Sequence, residues 1–274
     1  MQIGIFAKTF AGSDPLAVLR AAKEAGYDCV QFNMSCAGLA SMPDAIPDET
    51  IAAIRSASRA AGVDIAALSA TYNMIHPDKA VREKGLARLA VMLAAAEDLG
   101  VPLVTLCTGT RDPDDMWRHH PDNTRPEAWA DLFAEMENAV TLAERHGVDL
   151  GVEPEQANVV AAADDALRLI GTVGSPRIRI ILDPANLFEQ ATPDAARVIV
   201  ADAVDRLGPH IALAHAKDRT ADRAFATAGK GIVDFPDFIA RLRVAGFDGP
   251  LVTHGLSAEE APGVAAFLRG LITQ

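Results

Sequence analysis

The stretch Ala143–Glu153, AERHGVDLGVE, carries the pattern from which the fold follows. Its first half has helical spacing and ends in His146 and Gly147; its second half is a short β-rich run ending in Glu153, just before Pro154. Glycine suits the left-handed residue just past a helix C-terminus. Helix, Gly and then a buried strand make the αβ half of a βαβ unit. The same order recurs in KEAGYDCVQF around Gly26, SRAAGVDIAALS around Gly62, AEDLGVPLVTLC around Gly100 and RVAGFDGPLVTH around Gly246.

Working outward, the first strand is expected at Ile3–Phe6, the sixth at Ile178–Asp183 (IRIILD) and the seventh at Ile211–His215 (IALAH). Helix starts are signalled by Asp14-Pro15, Pro47-Asp48, Thr192-Pro193 and Asp234 before Pro236, and a last helix by Ala261–Leu271. Eight strands then alternate with eight helices. The expectation is an α/β chain folded as a single (β/α)8 TIM barrel, one domain over residues 1–274. An open doubly wound sheet would want a phosphate-cradling GxGxxG after its first strand, and AKTFAGS stands there instead.

Half the residues are hydrophobic and only 5% aromatic, as befits helices packed on a branched-aliphatic barrel. No apolar run reaches the ~20 residues of a membrane span. MQIGIFAKTF lacks the basic leader and long apolar core of a secretory signal, so the expected compartment is the cytoplasm. Cys29, Cys36 and Cys107 are odd in number and lack CxxC spacing, which argues for reduced thiols rather than a disulfide framework or thiolate zinc site. A net charge of −12 without a Lys/Arg cluster disfavours nucleic acid and anionic membranes as partners. It leaves a small-molecule partner, with a homodimer or homotetramer open.

Barrel chemistry sits at the C-terminal ends of the strands. The third strand leads to Asn73 and His76, the fifth ends in Glu153, the sixth in Asp183, the seventh in His215 and the eighth in His254. Each has a bland alternative: Glu153 a solvated loop residue, Asp183 a turn cap, His215 and His254 satisfied core histidines. Four consecutive strand ends with metal-competent side chains favour one divalent ion. Two carboxylates and two imidazoles suit Mn, Zn, Co or Fe better than Ca, with Mg also open. Such a site can polarise a carbonyl and hold vicinal hydroxyls.

Glu-Pro at 153–154, Asp-Pro-x-Asn at 183–186, His-x-Lys-Asp at 215–218 and FDGPL at 247–251 together resemble the xylose isomerase-like barrel superfamily. That superfamily includes sugar isomerases, ketose epimerases, inosose-processing enzymes and endonuclease IV. The resemblance spans the whole chain and implies Glu153, Asp183 and His215 as metal ligands, with His254 at the fourth position. Two departures stand out. Ketose epimerases have a glutamate where this chain has His254, and often a histidine where it has Asn186. Their two-glutamate proton swap therefore does not transfer intact.

The loop after the fourth strand, GTRDPDDMWRHHPDN, also resembles a bacterial subgroup of sugar phosphate isomerases/epimerases. Arg111 could grip a carboxylate or phosphate, Trp117 could stack on a sugar, and His119 or His120 could serve as acid or base. Alternatively Arg111 pairs with Asp112 or Asp114 and Trp117 pins the loop. A loop of this length suggests a lid. Glu155 could be base or ligand. Lys217 shares parity with His215 and could reach a substrate oxygen, while Asp218 would pair with Lys217 or a neighbouring strand, and Lys230 would be a solvated loop lysine rather than a contact to an anionic substrate group.

The reading is a metal-dependent isomerase or epimerase of a sugar, sugar phosphate or keto-sugar, working by proton abstraction beside a carbonyl. Catalytic candidates are Glu153, Glu155, His119, His120 and Lys217; substrate-binding candidates are Asn73, His76, Arg111, Trp117 and Asn186. The alternatives are a lyase or dehydratase on an inosose or 3-oxo-glycoside, or a carbohydrate-binding barrel without catalysis. Endonuclease IV-type repair ranks last, because the resemblance would then imply a histidine-rich multi-zinc cluster and this chain has seven histidines in all.

Overall fold

The computed structural model describes residues 1–273. Strands β1 (Gln2–Phe6), β2 (Cys29–Phe32), β3 (Asp64–Ser69), β4 (Leu103–Cys107), β5 (Asp149–Glu153), β6 (Ile178–Leu182), β7 (Ile211–Arg219) and β9 (Pro250–Thr253) form the barrel. Each pairs in parallel with its neighbours; β1 pairs with β9 and β6 with β7, which closes the ring. Helices α1 (Pro15–Glu24), α2 (Asp48–Ala61), α3 (Lys79–Leu99), α4 (Pro126–His146), α5 (Ala163–Val173), α6 (Pro193–Leu207), α7 (Phe235–Val244) and α8 (Ala261–Ile272) surround it. The architecture is the expected (β/α)8 barrel.

The helix boundaries follow local chemistry. Asp14, Thr192 and Asp234 accept hydrogen bonds from Leu16 N–H, Ala195 N–H and Asp237 N–H, satisfying first-turn donors that a helix leaves unpaired. Pro47 caps α2 with no side-chain bond, leaving Asp48 and Glu49 to face the helix dipole. At the end of α4, Gly147 adopts φ 67° and its N–H bonds to Ala143 O, turning the chain into β5.

β1 begins one residue earlier than expected, at Gln2, and three strand ends also differ. β6 stops at Leu182 and β9 at Thr253, so Asp183 and His254 stand one residue past their strands. β7 runs on to Arg219 because Lys217–Arg219 pair antiparallel with β8 (Phe225–Thr227), a hairpin with no periodic signal in the sequence. Asp218 does not pair with Lys217. Its buried carboxylate accepts from the N–H groups of Arg219, Gly229, Gly231 and Val233 and holds the loop behind that hairpin.

One large apolar cluster lies between barrel and helices. A second fills the barrel interior: Ala67, Leu103, Ile181, Leu213 and Val252. Gly151 belongs to this level. A Cβ there would come within 2.9 Å of the Ile181 side chain and 3.2 Å of Leu103, so the glycine makes room for the plug. All three cysteines are buried and free. No helix among the described residues is long and apolar enough to cross a membrane.

Candidate functional site

Side chains alternate along a strand, so a residue two positions beyond an interior one also points inward, one pleat nearer the mouth. Gly151 precedes Glu153 in this way, Ile181 precedes Asp183, Leu213 precedes His215 and Val252 precedes His254. The four polar side chains therefore stand directly on the aliphatic plug. Each turns one ligand atom toward the others, and these atoms all lie within 4.8 Å of one another. His215 Nδ1 is 3.2 Å from Glu153 Oε1 and 3.7 Å from Asp183 Oδ2, while His254 Nε2 is 3.1 Å from that same aspartate oxygen. Donors about 2.1 Å from one ion are separated by about 3.0–3.4 Å in octahedral or tetrahedral geometry. The spacings and the mixed O/N donor set fit a single divalent ion.

The surroundings orient each group. His215 Nε2–H donates to Gln31 Oε1 at 3.0 Å, and Gln31 Nε2 donates to Ser69 Oγ (3.2 Å) and Thr105 Oγ1 (3.3 Å). This fixes the amide and leaves Nδ1 toward the carboxylates, the kind of outer hydrogen bond that sets a metal-binding tautomer. Asn186 Nδ2 donates to Glu153 Oε1 at 2.7 Å, and Lys217 Nζ donates to Asn186 Oδ1 at 2.7 Å and pairs with Asp183 Oδ2 at 3.2 Å. Lys217 also lies over the Phe225 ring, 4.0 Å from its centroid.

Charge balance tunes the group. Burial opposes ionisation of Asp183, but the Lys217 ammonium and hydrogen bonds from His215 and His254 hold its carboxyl well below the usual range. Burial also works against a charged His215, yet Glu153 and Asp183 raise it to about 9. His254 is lowered by burial and by the charge on His215. Glu155 is raised to about 7 by burial and by its neighbour Glu153.

Above these groups opens a cavity of about 490 Å³, whose lining includes Glu153, His215, His254, Gln31, Ser69 and Thr105, with Lys8, Asn33, Met116 and Trp117 higher up. Its two halves differ. β5, β7 and β9 contribute a carboxylate and two imidazoles, with Asp183 buried beneath them; β1 to β4 and the segments that follow them contribute hydroxyls, amides and one ammonium. Lys8, Gln31, Asn33, Ser69, Thr105 and Met116 were missed by the sequence reasoning. A signal existed for Gln31, a polar residue at the mouth end of the otherwise apolar strand CVQF.

Several expected residues are placed elsewhere. Arg111 pairs with Asp131 Oδ2 at 2.7 Å and donates to Ile75 O and Glu127 O at 2.9 Å each, so its fork is consumed against α4 rather than offered to substrate. Nor does it pair with Asp112 or Asp114; Arg118 takes Asp112 at 3.1 Å. Asn73 is buried, accepting from Thr110 N–H and donating to Thr110 O, and thereby holds the loop after β4. His76 Nε2–H donates to Pro113 O at 3.0 Å, and His76 and Asn73 line an adjoining cavity rather than this one. His119 is exposed, and His120 Nδ1 accepts from Asp122 N–H in a turn cap; neither lines the cavity. Glu155, Asn186 and Lys217 sit behind the lining, whereas Trp117 is part of it. Lys230 lines a separate hollow beside α8.

A family model described as the xylose isomerase-like TIM barrel matches residues 19–271. The chain belongs to that family. No curated protein sequence matches it. Among solved structures it is similar to the 3-keto-D-glucoside 4-epimerase YcjR from E. coli, with a TM-score of 0.78 and 19% identity over 98% of this chain and 99% of that one. D-psicose 3-epimerase from Clostridium cellulolyticum H10, solved with D-tagatose, gives 0.75 and 16% identity over 99% of each chain. An IolI protein with a bound zinc atom gives 0.75 and 16% identity over 100% of this chain and 98% of that one. At these identities the likeness carries the fold.

Proposed function

We propose that this chain is a divalent-metal-dependent enzyme that removes a proton beside the carbonyl of a keto-sugar, as an isomerase or epimerase. The observation that carries the proposal is the convergence of Glu153, Asp183, His215 and His254 beneath a cavity lined with hydroxyls and amides. Mn, Zn or Co suits two carboxylates and two imidazoles best, with Mg a weaker choice. A bound ion would act as a Lewis acid on the sugar carbonyl, making the adjacent C–H more acidic.

The chain's own residues do the rest. Asp183 and His254 define one side of the donor set; His215 is held in place by Gln31. Glu153 lines the cavity and is the first candidate to accept the substrate proton, its Oε1 oriented by Asn186. Glu155, with its carboxyl near neutrality, is the second candidate. Lys217 balances Asp183 rather than reaching the cavity. Asn33, Ser69 and Thr105 offer hydrogen bonds to sugar hydroxyls, and Trp117 offers a ring face. The likeness to a 3-keto-D-glucoside 4-epimerase and a D-psicose 3-epimerase supports the same substrate chemistry.

A second reading keeps the proton abstraction and changes its outcome to elimination, on an inosose or a 3-oxo-glycoside. One observation favours it. Among the described residues, Glu153 is the one carboxylate that lines the cavity. A two-base epimerase needs groups on both faces of the reacting carbon, and an elimination needs one.

The test is solvent-deuterium incorporation into a panel of keto-sugars by protein reconstituted with Mn, Co or Zn. Glu153→Gln should abolish exchange; Glu155→Gln should lower it and shift its pH profile if Glu155 carries the proton. Stoichiometric metal with no exchange on any keto-sugar would leave a carbohydrate-binding barrel as the reading.

A further inference from the structure

A second cavity, of about 370 Å³, adjoins the first. The two share Met42, Thr71 and Met116, which form a common wall. Each volume lies in the lower part of the roughly 300–1,000 Å³ range of small-molecule pockets. Two chambers of this size match two rings in series better than one. The chemistry of the second chamber is that of a sugar or aryl platform. Val81, 43% exposed on α3, and the two methionines give an apolar surface; Lys84, Asp114 and Asp115 give a polar rim. The metal-competent cluster of Glu153, Asp183, His215 and His254 belongs to the first cavity.

The wall is adaptable. Methionine is unbranched and flexible, and fills irregular gaps without fixing one shape. Met42 is buried at 9% exposure, while Met116 belongs to the loop after β4. That loop is anchored at both flanks, by Arg111 to Asp131 and by Asn123 Nδ2 to Ala157 O at 2.9 Å. The loop backbone is thus braced on both sides of the half-buried Met116.

We propose that the second chamber is an aglycone subsite, and that the substrate is an O-glycoside of a keto-sugar rather than a free monosaccharide. The keto ring sits over Glu153, Asp183, His215 and His254; the group on its anomeric oxygen passes the Met42–Met116 wall into the hollow against α3. This rests on the proton-abstraction reading for the keto ring, but the subsite is measurable without it.

The test compares a 3-keto-hexose with its phenyl and glucosyl O-glycosides on the metal-loaded full chain. The readouts are deuterium exchange and, independently, calorimetric binding. Wild type should favour a glycoside by about tenfold or more in kcat/KM. Val81→Trp fills the hollow from an exposed helix position where folding is little affected. It should lower the glycoside's kcat/KM about tenfold, through KM, and leave the free keto-sugar unchanged. Equal kcat/KM for free sugar and glycosides in wild type, or equal losses for both in Val81→Trp, would overturn the subsite. If nothing exchanges, the proton-abstraction reading fails alone, and the binding arm decides: glycoside affinity lowered selectively by Val81→Trp upholds the subsite, and an unchanged or uniformly changed affinity overturns it.

Discussion

The ends of β5, β6, β7 and β9 and the loop after β4 both border the cavity, but their polar side chains behave differently. At the strand ends, Glu153, Asp183, His215 and His254 are aimed by the pleat, because the residue two positions earlier already faces the barrel interior, as Ile181, Leu213 and Val252 in the plug and as Gly151 making room for it. In the loop, Arg111, Asp112, Asn123 and His120 spend their hydrogen-bonding capacity on backbone groups and on each other's neighbours. A strand end can offer polar groups outward because its backbone asks little of them: of the four side chains only Asp183 accepts a backbone hydrogen bond, through Oδ1 from Ala185 N–H at 2.9 Å, and its Oδ2 still faces the site. An irregular segment must satisfy its own backbone first. Function and scaffolding are therefore divided by secondary structure, more than by residue type.

Substitutions can break or sharpen this contrast. The largest effect is expected at a strand end. His254→Ala should lower divalent-metal affinity by about 100-fold in chelator competition, with the thermal unfolding of the metal-free protein little changed. Unchanged affinity would mean that the imidazole is not a ligand and that the strand-end side of the comparison is drawn too broadly.

One layer out, Gln31→Leu removes the acceptor for His215 Nε2–H and should cost about 10- to 100-fold in metal affinity. Gln31→Glu, a stronger acceptor, should retain binding. Equal losses in both would point to packing rather than to orientation of the imidazole.

The pH dependence of binding sharpens the same point. His215 is raised to about 9, so near neutrality the ring carries a proton that a cation at Nδ1 must displace. Apparent metal affinity should therefore rise by about tenfold per pH unit from 7 toward 9 and then level. A flat profile over that window would show that His215 is not the proton released.

In the loop the effects should fall on stability. Arg111→Ala breaks a half-shielded pair with Asp131 and frees two carbonyls, for a loss of about 1–2 kcal/mol in denaturant unfolding, with metal affinity unchanged. A selective rise in substrate KM without loss of stability would return Arg111 to the binding site. Smallest of all, His119→Ala should change stability by less than about 0.5 kcal/mol, and activity not at all.

The barrel was legible in the sequence because the αβ junction recurs, with a glycine between helix end and buried strand at Gly26, Gly62, Gly100, Gly147 and Gly246. The inward aim of Glu153 and His215 followed from the period of two. Asp183 and His254, just past their strands, hold the same aim because the chain has not yet turned. The placement of Arg111, His76 and Asn73 was not legible, since it depends on partners such as Asp131, Pro113 O and Thr110 that no local pattern links to them. β8 was invisible for a different reason. Three residues paired to the tail of a barrel strand carry no alternation long enough to read.

The aliphatic plug has an electrostatic consequence. Leu103, Ile181, Leu213 and Val252 place a layer of low polarisability directly under two carboxylates and two imidazoles. Field lines avoid such a layer and crowd into the solvent-filled side. The potential of the strand-end charges is thus projected one way, out through the mouth, as a lamp is by the mirror behind it. A cation approaching Glu153 and Asp183 from above meets an attraction that the same carboxylates, spread over an open surface, would lose to water on every side.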